Sequence, residues 1–248
     1  MNTYWSSKVA IITGATHGIG LRLAERLAEQ GVHIATIYRS KDDQAKSLQS
    51  YLEQKGVESL ILKGDITHPD SCRNLVNAVY ERWGSIDFLV NNIGADKWST
   101  VFELSEEDWL QSEELLLNVP FRMMKECMPY MRKQAFGRII NVGASSKNYL
   151  KGQAGLAPFG VFKGALNILS QTVALEEISH GITVNVVAPG STAEAGTNKE
   201  EDRIPVSRIP IGRRITREEV TEAMLYFLSE QAASVTGQFI GVNGGCSV

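Results

Sequence analysis

The sequence predicts an α/β fold: one domain on a doubly wound sheet of about seven parallel strands, with helices on both faces. Three observations predict it. Short apolar runs recur between longer amphipathic stretches, the rhythm of strand, helix and strand again. The runs are continuously apolar rather than alternating, so both faces of the sheet are expected to be covered. The 248 residues are 43% hydrophobic and 21% charged, an ordinary balance for one large core that needs no second domain.

Val9 to Thr13, His33 to Tyr38 and Leu60 to Asp65 are the first three runs. Phe88 to Asn91, Arg138 to Val142, Thr183 to Val187 and Gln238 to Val242 complete the set. Between them, Leu21, Ala24, Leu27 and Ala28, and later Leu166, Leu169 and Val173, line up at three- and four-residue spacing as helix faces. From Pro189 to Pro210 the pattern breaks into polar, proline-punctuated sequence with too little apolar content for a core, which predicts a mobile loop over a site. Glu218, Glu219 and the pair Arg213 and Arg214 read as surface charge.

Composition removes several function classes. With 25 basic and 28 acidic side chains the net charge is −3, so a surface tracking nucleic-acid phosphates is not expected. Cys72, Cys127 and Cys246 form neither a C-x-x-C pair nor an even disulfide framework, which predicts a reducing, cytoplasmic setting. Met1 to Lys8 has no basic leader, and the apolar run after it stops at a glycine, so neither secretion nor membrane insertion is expected.

The first chemical signal is Thr13-Gly14-Ala15-Thr16-His17-Gly18-Ile19-Gly20, which follows the first strand and opens a helix running to Gln30. Gly14 supplies a turn conformation, Gly18 admits a ligand close to the backbone, and Gly20 allows helix and strand to touch. Free amides at the helix start then favour a diphosphate, so Thr16, His17 and Ile19 join the glycines as candidate cofactor-binding residues of a Rossmann-type domain. His17 either assists when protonated or is packed or solvated. At the second strand's tip, Ile37-Tyr38-Arg39-Ser40-Lys41 has no carboxylate before Asp42. Arg39 therefore predicts NADP(H) over NAD(H), through a charge-assisted contact of ~1.5–3 kcal/mol, or roughly ten- to a hundredfold; its alternative is a solvated loop arginine.

With these residues the chain resembles the classical short-chain dehydrogenase/reductase family, most closely its 3-oxoacyl-carrier-protein reductase branch, over nearly its whole length. Asp65-Ile66 resembles the family's adenine-contacting pair, and Asn91-Asn92-Ile93-Gly94 its N-N-A-G element. Asn118 corresponds to its catalytic-helix asparagine, Gly137 to Asn141 to strand five, and Asn185 to Gly190, ending in Pro189-Gly190, to strand six. Val235 to Gln238 and Val242 to Gly245 match its carboxyl end. The resemblance implies NADPH-dependent interconversion of a ketone and a secondary alcohol. It implies that Asp65, Ile66, Asn92, Gly94, Lys163, Pro189 and Gly190 hold the cofactor, and that Asn118 and Lys163 serve catalysis. It also implies a small-molecule or acyl-thioester carbonyl substrate, and a homotetramer paired through helices at Leu104 to Met131 and Pro158 to Glu177.

The chain departs from that family where it matters most. The family's proton-donating tyrosine stands four residues before its lysine; here Phe159 occupies that place before Lys163. Phenylalanine has no proton to give, and loss of a general acid removes ~10²–10⁴ of rate. The family's serine falls on Ala144 counting from strand five and on Ser146 counting back from Phe159, leaving Ser145 or Ser146 as candidates, with polar loop contacts as the alternative for both. Tyr149 is a second source of a hydroxyl, or a loop aromatic. Two functions follow: an NADP(H) oxidoreductase with an altered proton relay, or a pseudo-enzyme that binds NADP(H) as a sensor or interaction protein. A methyltransferase on the same sheet leaves the asparagine element and the lysine helix unexplained.

Overall fold

The computed structural model describes residues 4–94, 98–144, 152–193 and 205–246. In chain order the elements are β1 (Val9–Ile12), α1 (Gly18–Ala28), β2 (His33–Tyr38), α2 (Asp42–Gln54), β3 (Ser59–Lys63), α3 (Ser71–Trp83) and β4 (Phe88–Asn91). They continue with α4 (Glu106–Glu113), α5 (Val119–Lys133), β5 (Gly137–Val142), α6 (Ala157–Glu177), β6 (Ile182–Pro189), β7 (Thr192–Ala193), β8 (Ile215–Thr216), α7 (Arg217–Leu228) and β9 (Phe239–Val242). The main sheet has seven strands, all parallel, in the order β3-β2-β1-β4-β5-β6-β9.

The central strands are apolar on both sides because each side meets a helix layer, whereas β3 and β9, at the two edges, are partly exposed. In β1, Ala10 and Ile12 join one core with Leu23 and Leu27 of α1, Leu52 of α2 and Met224 of α7. Val9 and Ile11 point the other way, into a core with Leu75 of α3, Met123 and Cys127 of α5 and Val173 of α6. Fully buried leucines such as Leu23 and Leu75 each contribute ~1.5–3 kcal/mol relative to exposure. The order reverses between β1 and β4, and the carboxyl ends of these two strands open a crevice at that switch point.

The strands differ from expectation mainly at their ends. β1 stops at Ile12 and β3 at Lys63, while β6 extends to Pro189. Asp65 leaves the strand because its Oδ1 accepts from the Thr67 amide at 2.9 Å and hydroxyl at 2.7 Å, a local turn that competes with the ladder.

Two expectations for the carboxyl-terminal third are corrected. The polar stretch from Pro189 to Pro210 is not all loop: Thr192 and Ala193 pair in parallel with Ile215 and Thr216, and Ile209 is buried. Arg214 is not surface charge. It is 4% exposed and donates to the Ser191 hydroxyl, because the β7–β8 pairing draws it inward. Arg213 does stay at the surface, paired with Glu219, while Glu218 bridges to Arg22 and Arg26 of α1. Residues 194–204 lie outside the described residues.

Candidate functional site

The crevice at the switch point holds a cavity of about 290 Å³. Gly14, His17, Gly18 and Ile19 line it from the first turn, Asn92, Ile93 and Gly94 from the end of β4, Thr192 from β7 and Arg217 from the start of α7. Gly14 and Gly18 have φ of +69° and +63°, which L side chains rarely adopt, and a Cβ on Gly18 would meet nothing within 4 Å. The backbone there is bare toward the cavity.

Several groups hold the turn in shape. The Asn92 amide donates to Thr13 Oγ1 at 2.9 Å, and Asn92 Nδ2 donates to the carbonyls of Thr13 and Gly14 at 3.0 and 3.3 Å. A Cβ on Gly20 would stand 2.6 Å from both Asn92 Nδ2 and the Gly14 carbonyl, so this glycine permits the brace rather than facing the cavity. Thr36, fully buried on β2, donates to the Ile12 carbonyl at 2.7 Å and accepts from the Ala15 amide at 3.2 Å. Thr16 is buried, with its hydroxyl 3.5 Å from His17 Nδ1. Burial lowers the His17 pKa, and Lys41 and Arg217 lower it further. All three effects disfavour the imidazolium.

On one side of the turn, Arg39 and Asp65 meet at the tips of β2 and β3, with Arg39 Nη1 3.8 Å from Asp65 Oδ2. The arginine is 70% exposed and so keeps most of its donor fork in solvent. Hydrogen bonds from the Thr67 amide and hydroxyl keep Asp65 ionised. Ile66 is buried in the core beneath the pair.

On the other side lie the ends of β5 and β6 and the start of α6. Asn91 Nδ2 donates to Asn141 Oδ1 at 2.8 Å, and Asn141 Nδ2 donates to Ser170 Oγ at 2.8 Å. This buried chain fixes α6 against the sheet, one face of which carries Lys163. Lys163 is 3% exposed and donates from Nζ to the Val142 carbonyl at 2.5 Å. Burial lowers its pKa to about 8. Phe159 lies one turn earlier, half-buried. Pro189 is half-buried at the end of β6, and Gly190 lies against Asn243, whose Cα a Cβ would approach to 2.8 Å.

Asn118 ends a single π turn, Glu114–Asn118, between α4 and α5. The wider turn has a local cause: Pro120 lacks the amide hydrogen that an α-helix would require there, and the Val119 amide reaches back to the Glu114 carbonyl. Asn118 Nδ2 donates to Glu114 Oε2 at 3.2 Å, and Glu114 also pairs with Arg122. Leu116 of this turn and Lys163 Nζ both come within about 4 Å of the place a Cβ would take on Gly94. The π turn, β4 and α6 thus meet at one point. Ser145, Ser146 and Tyr149 lie outside the described residues.

A family model described as Enoyl-(Acyl carrier protein) reductase matches residues 14–247. The 3-oxoacyl-(acyl-carrier-protein) reductase FabG of Staphylococcus epidermidis is 33% identical over 242 residues, covering 96% of this chain and 98% of that protein. The chain belongs to the short-chain dehydrogenase/reductase family. FabG of Escherichia coli K12 is also 33% identical, over 97% of this chain and 98% of its own length. Among solved structures, a single-substitution variant of actinorhodin polyketide ketoreductase with NADPH superposes with a TM-score of 0.88 at 33% identity over 97% of both chains. A doubly substituted variant of a Serratia marcescens short-chain dehydrogenase/reductase reaches 0.90 at 28%, over 99% of this chain and all of that one.

Sequence reading missed Thr36, Thr192 and Arg217. The capping pattern Thr216-x-x-Glu219 is legible as a helix start, and both capping bonds form. What the sequence does not carry is the β7–β8 pairing, two residues long, that brings this helix to the glycine turn. Among the described residues no cluster of His, Cys, Asp or Glu is arranged to hold a metal, and no helix is long and apolar enough to cross a membrane.

Proposed function

We propose that this short-chain dehydrogenase/reductase binds NADP(H) and interconverts a carbonyl and a secondary alcohol, on a substrate of the 3-oxoacyl-thioester class, by an altered proton relay. The observation that carries the reading is the bare glycine backbone lining the cavity at the switch point, in a chain of this family. The residues present fit a dinucleotide. Gly14, Gly18 and Ile19 offer main-chain surface for a diphosphate, with Thr16, His17 and Gly20 completing the turn. Arg39 reads a 2′-phosphate, and Asp65, Ile66, Asn92 and Gly94 border the adenosine half. Lys163, Pro189 and Gly190 serve the nicotinamide half. When bound, the cofactor supplies or accepts a hydride.

The chain's own part is to steady the developing oxyanion and deliver a proton. Phe159 cannot do so. Ser145 or Ser146 would hold the carbonyl oxygen, Asn118 a relay water, and Lys163, with its pKa near 8, a proton close to hand. The FabG relatives act on acyl-carrier-protein thioesters by name, which supports the substrate class. Turnover of NADPH with a panel of 3-oxoacyl thioesters, β-ketoesters, quinones and aldehydes tests the reading, and none turned over despite tight cofactor binding would reject it. Tyr149→Phe tests the relay: lost turnover with unchanged NADPH affinity assigns the proton to Tyr149.

Phe159 also favours a second reading, a pseudo-enzyme that binds NADP(H) as a sensor or interaction protein. Assembly as a homotetramer is part of the proposal in either case. Val161, Ile168 and Leu175 form an exposed apolar line along α6 at seven-residue spacing, Phe121 of α5 is exposed as well, and Ile240 and Tyr226 leave apolar surface at the β9 edge. Gly160 of the small residues on α6 is exposed, whereas Gly164 is buried within the chain. Cys72, Cys127 and Cys246 are buried thiols that form no disulfide with one another, and a cytoplasmic setting is part of the same reading.

A further inference from the structure

Most of the cavity wall carries no fixed charge: glycines, Ile19, Ile93, Asn92 and Thr192, with His17, whose imidazolium is disfavoured. Arg217 is the exception. It is the first residue of α7, and the chain holds it there from three directions. Thr216, the preceding residue, caps the helix and pairs with Ala193 of β7. Glu218, the next residue, turns outward to Arg22 and Arg26 of α1, which locks the start of α7 against α1. Glu219 closes the capping box and pairs with Arg213. Arg217 itself lines the cavity with Gly14 and Gly18. Its charge also reaches His17, where it and Lys41 add to burial in disfavouring the imidazolium.

A guanidinium that shares a cavity with bare glycine backbone is suited to a diphosphate, whose oxygens take parallel N–H donors. We propose that Arg217 is a cofactor-affinity residue that grips the diphosphate bridge of the dinucleotide together with the glycine turn. The inference rests on the NADP(H) reading above and deepens it: the diphosphate is held by both halves of the chain, with β7 and β8 as the link. It separates two charges by task. Arg217 serves any dinucleotide, whereas Arg39, at the tip of β2, serves only one with a 2′-phosphate.

Calorimetric titration of the full-length protein tests this division. Arg217→Gln is expected to weaken NADPH and NADH alike by about ten- to a hundredfold, and to leave adenosine 2′-monophosphate, which has no diphosphate, unchanged. Its NADPH affinity should fall less steeply with added salt than that of the wild type, and Arg217→Lys should recover part of the loss. Far-ultraviolet dichroism and the melting temperature without nucleotide establish that the variants fold. Unchanged affinity for both dinucleotides in a folded Arg217→Gln would overturn the proposal, as would a loss confined to NADPH, which would make Arg217 a 2′-phosphate reader. Wild-type protein that binds neither dinucleotide would overturn the cofactor reading itself, and this contact with it.

Discussion

The two lips of the crevice are built to different standards. On the β1–β2–β4 side the chain braces itself: Thr13, Thr36 and Asn92 hold the glycine turn through hydrogen bonds made inside the protein. On the β5–α6 side a buried lysine rests on one carbonyl, beside a phenylalanine that offers no hydroxyl. One lip needs only rigid backbone to bind, and that requirement is met before any ligand arrives. The other must move a proton, which takes a side chain of the right chemistry at one place. The contrast puts the groups that would bind the cofactor and those that would move a proton on different lips, so the two tasks can be tested separately.

The largest expected effect comes from restoring the missing group. Phe159→Tyr puts a hydroxyl one helical turn from Lys163. If the chain is a pseudo-enzyme, ketone reduction should rise by ~10²–10⁴ from a negligible base, measured as steady-state NADPH oxidation. No gain over an already active wild type would instead favour a rerouted proton path. NADPH affinity should hardly change in either case, which is what separable lips require.

Lys163 gives the next largest effect, on stability. Its folded pKa of about 8 lies below the ordinary value of 10.5. Between these values the unfolded chain binds a proton that the folded chain has released, so stability rises with pH across that window. The contribution is fully expressed above the unfolded value and lost as pH falls through the folded one. It is on the order of 3 kcal/mol. Denaturant unfolding at pH 7.5 and pH 10.5, for wild type and Lys163→Met, checks this: the wild type should gain on the variant as pH rises, and parallel changes in both would contradict it.

Arg39→Ala should cost NADPH about ten- to a hundredfold in affinity and NADH almost nothing. Its exposure makes the lower end of that range the expected one, since solvent competes for the same fork. Equal loss for both nucleotides would remove the 2′-phosphate reading. The smallest effect on either lip should come from Ile168→Asp with Leu175→Asp on the outer face of α6. Light scattering is expected to report smaller assemblies, with NADPH affinity little changed; a monomeric wild type at micromolar concentration would overturn the tetramer.

The same contrast governs what the sequence made legible. The seven main strands are legible because the central ones must be apolar on both faces and the two edge strands keep short apolar runs, and the glycine turn is legible because its φ values exclude most other residues. Asp65 was placed inside a strand because its competing turn depends on Thr67, a local signal that apolar periodicity ignores. Arg214 was read as surface charge because its partner, Ser191, is 23 residues away. Arg217 escaped for the same reason, and a two-residue pairing such as β7 with β8 has no periodicity to reveal it. Asn118 was legible as a residue, but its π turn was not, since that depends on Pro120 acting on the turn before it. The choice between Ser145 and Ser146 stays with the sequence, because both lie outside the described residues.

Isothermal titration of the purified full-length protein with NADPH, and separately with NADH, reaches the central claim most directly. The account predicts saturable binding of both, with NADPH tighter by about tenfold or more. Heat signals no different from dilution for both nucleotides would contradict it.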